Sequence, residues 1–331
     1  MAGGDPSTPP LRGSAQDDGS AARLHGSDRD DGAASHGSLP SHDDGAEVPG
    51  TVGVVGLGLI GGSFARAYHA AGWRVLAFDP DGDVMDAARV DVVDGALGAS
   101  SAPTCDLIVL ATYPAACLDW LRGHADAIGA RPVVIDTAGV KAAVCAEAFP
   151  LARAHGFRFC GAHPMAGTQF SGYARSRADL FRGAPLVLVP PELPDAERLE
   201  LLDRVHELVR PAGFGSFSVT TAAEHDRVIA YTSQLCHVVS NAYVKSPTAQ
   251  LHHGFSAGSY RDLTRVAHLN PGMWAELMMD DAGNLGAELD RIIASLAAYR
   301  DALAACDGTR LRSLLAEGDR IKRALDDADN G

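Results

Sequence analysis

The 331-residue chain has few cysteines, no apolar run long enough to cross a membrane and no excess of positive charge. Each absence removes a class of function. The six cysteines (Cys105, Cys117, Cys145, Cys160, Cys236 and Cys306) are scattered, without a CxxC pair or a Cys/His spacing suited to zinc. That excludes a disulfide scaffold and a zinc module, and the thiols read as buried groups in a reducing compartment. No stretch approaches the ~20 apolar residues of a membrane helix. The first residues lack the basic and apolar regions of a secretory signal, so a cytoplasmic protein is expected. Lys and Arg number 28 against 42 Asp and Glu, for a formal charge of -14. Such a surface repels nucleic-acid backbones and anionic lipid, so neither is expected as a partner.

Large apolar residues are also scarce from residue 1 to about 48, where Gly, Ser, Asp, Pro and His dominate. This segment cannot offset its ordering entropy and reads as a disordered tail. His25, His36 and His42 within it are too widely spaced for a metal tract.

Beyond residue 48 apolar residues are plentiful, 46% over the whole chain, enough for two cores. Short apolar runs at 51–56, 74–79, 106–112, 132–136, 157–162 and 184–189 alternate with helical patterns such as 63–71 and 142–154. The alternation predicts an α/β fold with a doubly wound, mostly parallel sheet of Rossmann type, over residues 49–219. A last strand is predicted near 214–219. Residues 220–331 read as all-helical: Thr221 and Glu224 form a capping box that opens a long helix. A second helix carries a stripe from Leu285 to Leu303, and a third runs through Leu311, Leu315 and Leu325.

Gly56-Leu57-Gly58-Leu59-Ile60-Gly61 comes directly after the first strand and opens a helix. In this context the glycines allow a tight turn, a close backbone approach to a pyrophosphate, and close helix–strand packing. Asp79 ends the next strand, where a carboxylate meets ribose hydroxyls and would repel a 2′-phosphate. The expected cofactor is therefore NAD rather than NADP, held by Gly56, Gly58, Leu59, Ile60, Gly61, Asp79 and Thr112. No metal is expected.

The segment Gly161-Ala162-His163-Pro164-Met165-Ala166-Gly167-Thr168 places a histidine in a loop just past a strand, at the edge where α/β enzymes bind ligands. At this point the chain resembles the prephenate/arogenate dehydrogenase family over residues 51–305. Four blocks carry the likeness: GLGLIGGS at 56–63, GAHPMAGTQFSG at 161–172, EHDRVIAYTSQLCH at 224–237 and GSYRDLTRVAHLNPGMW at 258–274.

The resemblance implies NAD-dependent removal of hydride from C4 of a cyclohexadiene, with loss of the ring carboxylate as carbon dioxide. It implies His163 as the catalytic histidine and Arg265 as the arginine that grips a carboxylate of a small dicarboxylate substrate. His237, Arg261, Gln169 and the position of Gly139 are implied as further parts of the substrate site, and Trp274 as either a contact or core packing. Arg261 and Arg265 also stand at i,i+4 spacing, two cations on one helical face of an acidic chain. A homodimer through the helical domain is implied as well.

The chain departs from the family pattern at Gly139, in Asp136-Thr137-Ala138-Gly139-Val140-Lys141, where relatives carry a serine. Thr137 is a poor substitute, on the wrong side of the turn. Gln169 and Gln234 stand where many relatives have glutamate and histidine, and Tyr113 precedes Pro114 where relatives place proline directly after the threonine. These changes motivate a second expectation, a 4-amino-4-deoxyprephenate dehydrogenase of an antibiotic pathway, because an amine at C4 alters the donors that subsite needs. Two rival classes fit less well. A β-hydroxyacid dehydrogenase would need a catalytic lysine, for which only Lys245 is placed, and a dinucleotide-binding sensor would leave His163 and Arg265 without purpose.

Overall fold

The structure is a computed structural model, and it describes residues 48–168 and 170–329. The tail expected over residues 1–48 lies outside the described residues, except for Val48.

The first half is an eight-stranded sheet in the order β3-β2-β1-β4-β5-β6-β7-β8. In chain order its elements are β1 (Thr51–Val55), α1 (Leu59–Ala70), β2 (Arg74–Phe78), α2 (Gly82–Asp91), β3 (Gly95–Ala96) and β4 (Leu107–Leu110). Next come α3 (Pro114–Ile128), β5 (Val133–Asp136), α4 (Ala142–His155), β6 (Arg158–Pro164), β7 (Pro185–Val189), α5 (Asp195–Leu208) and β8 (Ser216–Val219). Central strands read Val-Val-Ile-Asp and Leu-Ile-Val-Leu without alternation because helices cover both faces and every residue is buried. One face packs Phe64 and Tyr68 of α1 against Phe181 and Leu208, and the other packs Trp120 and Leu121 of α3 against Ile108 and Val144. Each such large side chain contributes ~1.5–3 kcal/mol by leaving water. The buried Tyr68 hydroxyl finds its acceptor in Leu208 O at 2.6 Å.

Pairing is parallel from β3 through β6, and β7 then runs antiparallel to β6. This corrects the placement of His163. Instead of a loop, it occupies β6 itself, opposite Val187. β6 outlasts its neighbour β5: Cys160 is its last residue paired there, and Gly161–Pro164 continue on β7. The two-residue β3 carries too little signal to be expected from sequence.

The second half is helical: α6 (Ala222–Ile229), a π-helical stretch (Ala230–Leu235), α7 (Cys236–Tyr243), α8 (Gly258–Thr264), α9 (Pro271–Asp280), α10 (Ala282–Ala304) and α11 (Gly308–Asp329). Thr221 Oγ1 accepts from Glu224 N at 3.2 Å, half of the expected capping box, while the Glu224 carboxylate turns to Arg227. α8 and α9 add to the three expected helices, and Asn270 caps α9 through Gly272 N and Met273 N with Pro271 at its first position. Four cysteines are buried as expected, but Cys236 and Cys306 are exposed. Among the described residues no helix is long and apolar enough to cross a membrane.

Candidate active site

The carboxyl ends of β1, β2, β4, β5 and β6 lie along one edge of the sheet, because their registers align Val55 with Phe78 and Leu110, and Leu110 with Asp136. Everything that leaves this edge is a candidate for chemistry. The loop after β1 holds Gly56 at φ +85°, a left-handed conformation that disfavours any side chain. A Cβ on Gly61 would stand 1.8 Å from Gly56 O, so only glycine lets α1 start so close to the strand. A Cβ on Gly58 would meet nothing within 4 Å, so its bareness serves something outside the protein's own packing.

α1 begins at Leu59 and Ile60 with no side-chain cap and no acidic residue in its first turn, leaving free amides at the positive end of the helix. Asp79, one residue past β2, accepts from Leu57 N at 2.6 Å and from Asp81 N at 2.9 Å. It therefore braces the glycine loop from beneath. Arg66 is engaged elsewhere, with Asp91 and Ser176, so it is not a partner for a 2′-phosphate. Thr112 stands across the loop, its Cβ 3.0 Å from where a Gly56 Cβ would lie. Open backbone, free amides and one carboxylate fit a dinucleotide: Gly58, Leu59 and Ile60 would face its pyrophosphate and Asp79 its ribose.

Further along the edge, β6 presents His163, half-buried. Its Nδ1 lies 2.9 Å from Nε2 of His225 on α6, and His225 Nδ1 lies 2.7 Å from Asp226 Oδ1. Asp226 in turn accepts from the amides of Lys141 and Ala142, at 2.7 Å each, and so caps α4 from the helical half of the chain. Beneath them Lys141 is wholly buried and ion-paired with Asp136. Asp136 also accepts from Ala162 N at 3.0 Å, the residue before His163. Burial, then the Lys141 cation and then His225 hold the His163 imidazole well below its ordinary range, in the neutral form.

His225 and Asp226 belong to the site although sequence reasoning does not single them out within the block at 224–237. Adjacent helical residues do not share a face, and nothing local announces that one carboxylate bonds a neighbouring ring and a distant helix start.

The remaining predicted residues cluster around α7–α9. His237 Nδ1 donates to Val266 O at 2.9 Å, and its ring lies 3.9 Å from that of Trp274. Burial and the nearby Arg265 lower the His237 basicity despite that carbonyl. Arg265 is the C-cap of α8, still in helical conformation, and Arg261 lies within α8. Arg261 and Arg265 are both exposed, and among the described residues neither has an ion pair, Asp262 included.

α9 ties this cluster to the sheet domain: Glu276 accepts from Ala115 N at the start of α3, and Leu277 covers Gly139. A Cβ at Gly139 would meet Leu277 at 3.4 Å, ordinary contact. Thr137 is no replacement, since its hydroxyl donates to Leu110 O at 3.3 Å. Gln234 is buried in the π-helical stretch, with its side chain beside Asp281. Gln169 lies outside the described residues.

The π-helical stretch has a geometric effect. His225 and His237 are twelve positions apart, which in a regular α-helix turns them roughly 120° from one another. One inserted residue brings that to roughly 20°, so both imidazoles lie on nearly the same side of one continuous rod. A cleft of about 610 Å³ behind Asp226, lined by Glu224, Asp280 and Asp281, is too acidic to suit a dicarboxylate.

Comparisons with known proteins agree with this architecture. Residues 64–212 match the family model for the prephenate dehydrogenase nucleotide-binding domain, and residues 221–317 that for the prephenate dehydrogenase dimerization domain. Cyclohexadienyl dehydrogenase of Zymomonas mobilis is 31% identical over 288 residues, covering 83% of this chain and 95% of that one. The crystal structure of Synechocystis arogenate dehydrogenase superposes with a TM-score of 0.66 at 28% identity, over 82% of this chain and 99% of that one. The A. aeolicus prephenate dehydrogenase in complex with hydroxyphenyl propionate and NAD+ gives 0.68 at 25% identity, over 85% and 99%. The chain belongs to the prephenate dehydrogenase family.

Proposed function

We propose that the chain is an NAD-dependent dehydrogenase of a prephenate-like cyclohexadiene, converting it to an aromatic product with loss of carbon dioxide. The observation that carries this is His163: a neutral imidazole at the carboxyl edge of the sheet, held through Nδ1 by His225. The glycine loop, the first turn of α1 and Asp79 hold NAD, which when bound accepts the hydride from C4. His163 takes the proton from the C4 substituent, and the product gains aromaticity, which makes the reaction effectively irreversible. Arg265 grips a carboxylate of the substrate, with Arg261 as a second cation. A free guanidinium suits a carboxylate because its planar fork can donate twice. His237 and Trp274 form the wall beside Arg265.

Gly139 favours a second reading of the substrate. No hydroxyl stands at that position, Thr137 is engaged, and a Cβ there would make ordinary contact with Leu277. A C4 amine in place of a hydroxyl, as in 4-amino-4-deoxyprephenate, changes the donors required there.

The enzyme works as a cytoplasmic homodimer. Ile293, Leu296 and Leu303 of α10 and Leu315, Ile321 and Leu325 of α11 are all more than half exposed in the single chain. So much apolar surface on paired helices calls for a partner face. Prephenate, arogenate and the amino analogue, each assayed with NAD and with NADP, test the reading. NAD-dependent turnover of one of them supports it, and turnover of none overturns it. Catalytic efficiency on prephenate at least equal to that on the amino analogue removes the second reading.

A further inference from the structure

An imidazole can accept a proton only at a nitrogen that does not already carry one, and the surroundings of His163 determine which nitrogen that is. The determining contacts begin at the start of α4. Asp226 Oδ1 accepts from Lys141 N and Oδ2 from Ala142 N, and Oδ1 also faces His225 Nδ1 at 2.7 Å. A carboxylate used in this way only accepts, so His225 Nδ1 carries a hydrogen and donates it.

His225 Nε2 and His163 Nδ1 are 2.9 Å apart, and one of them must donate to the other. If the donor were His225, that ring would be a cation, in a setting where it is 3% exposed and Lys141 already supplies a buried positive charge. The economical arrangement has His225 neutral. His163 Nδ1 then donates to His225 Nε2, and His163 Nε2 keeps its lone pair, with no protein partner among the described residues.

We propose that His225, anchored by Asp226, is a positioning residue that fixes the tautomer of His163, with Nδ1 protonated and Nε2 free to accept the substrate's proton. The proposal rests on the dehydrogenase reading of the site. In the reaction the C4 substituent loses its proton to His163 Nε2 as the hydride leaves C4 for the nicotinamide. The bond to the ring carboxylate then breaks, carbon dioxide departs, and that electron pair completes the aromatic ring. The proton returns from Nε2 to the C4 substituent. While His163 holds the extra proton, its Nδ1 hydrogen can pass to His225 Nε2, which places the positive charge next to Asp226.

The charged groups around the pair are consistent with this. Asp226 faces it from α6, Lys141 with its partner Asp136 from the β5–α4 connection, and Asp281 from the start of α10. Asp280, at the end of α9, faces Asp226. The cation lies on the His163 side, where it opposes a resting proton. Asp226 and Asp281 lie on the His225 side.

Free histidine prefers the Nε2–H tautomer, so the arrangement has a distinctive signature. The test is a long-range nitrogen–proton NMR spectrum of the full chain labelled with ¹⁵N-histidine, without ligand at neutral pH, with His163 assigned by its loss in His163→Asn. The expected result is Nδ1–H on His163. In His225→Phe the ring should revert to Nε2–H, with kcat about 100-fold lower and KM within about twofold. In His225→Gln the amide oxygen can still accept from Nδ1, so the tautomer and most of kcat should return. Nε2–H in the native protein overturns the proposal, as does a His225→Phe variant with unchanged tautomer and kcat. The native spectrum decides even if the phenylalanine variant does not fold. It also decides if no cyclohexadiene is turned over, so failure of the tautomer and failure of the substrate reading are separate results.

Discussion

The cofactor side and the substrate side of the cleft are built in opposite ways. The proposed cofactor side comes mainly from one contiguous hexapeptide and one acid 18 residues beyond it, within a single strand–helix–strand unit, with Thr112 added from the end of β4. The substrate side is assembled from β6, α6, α7, α8 and α9, and its central contact joins His163 to His225 across 62 positions. The first is set by backbone, where a single methyl group decides the outcome. The second is set by which side chains tertiary packing brings together. Perturbations should therefore damage the cofactor side through shape and the substrate side through chemistry.

The largest effect is expected on the substrate side. His163→Asn should lower kcat by about 10³–10⁴-fold while the NAD dissociation constant changes less than twofold, measured by steady-state kinetics and by fluorescence titration of the cofactor. Equal loss on both measures would merge the two regions. On the cofactor side the contrast lies between two glycines. Gly61→Ala places a methyl 1.8 Å from a backbone oxygen and should destabilise the fold by several kcal/mol in chemical denaturation. Gly58→Ala has open space and should leave stability within about 0.5 kcal/mol while weakening NAD binding about tenfold.

Arg265→Ala comes next. It removes a side chain without an ion-pair partner among the described residues, so stability should hold, while KM should rise about 10–100-fold for the loss of ~1.5–3 kcal/mol of charged hydrogen bonding.

The smallest effect concerns pH. His163 is held below its ordinary value in the folded chain, so as pH falls below about 6.5 the unfolded chain binds a proton that the folded chain refuses. Stability attributable to this group should then fall by up to about 1.4 kcal/mol per pH unit, until the folded ring also titrates. His163→Asn should flatten that slope in urea denaturation series at pH 5 to 7. A slope unchanged by the substitution would place the ring in an unremarkable environment.

The same contrast explains what is legible in the sequence. The turn of Gly56–Gly61, the helix it opens and Asp79 are local and can be read directly, as can the alternating strands and the apolar stripes of α10 and α11. His163 is legible as a residue but not as part of a strand, because β6 is prolonged by the antiparallel β7, which no local pattern announces. His225, Asp226 and the buried Lys141 are hidden for a related reason. Their roles exist only once α6 docks on the start of α4, and a lysine at 0% exposure contradicts every expectation from composition. The π-helical stretch is invisible too, since its residues continue an ordinary helical pattern.

The central claim is that His163 and Arg265 serve one substrate from two domains. A crystal structure of the full chain with NAD and hydroxyphenyl propionate tests it most directly. The account predicts the phenol oxygen about 3 Å from His163 Nε2 and the carboxylate paired with Arg265. A ring bound away from His163, or a carboxylate held by other residues while Arg265 remains in solvent, would contradict it.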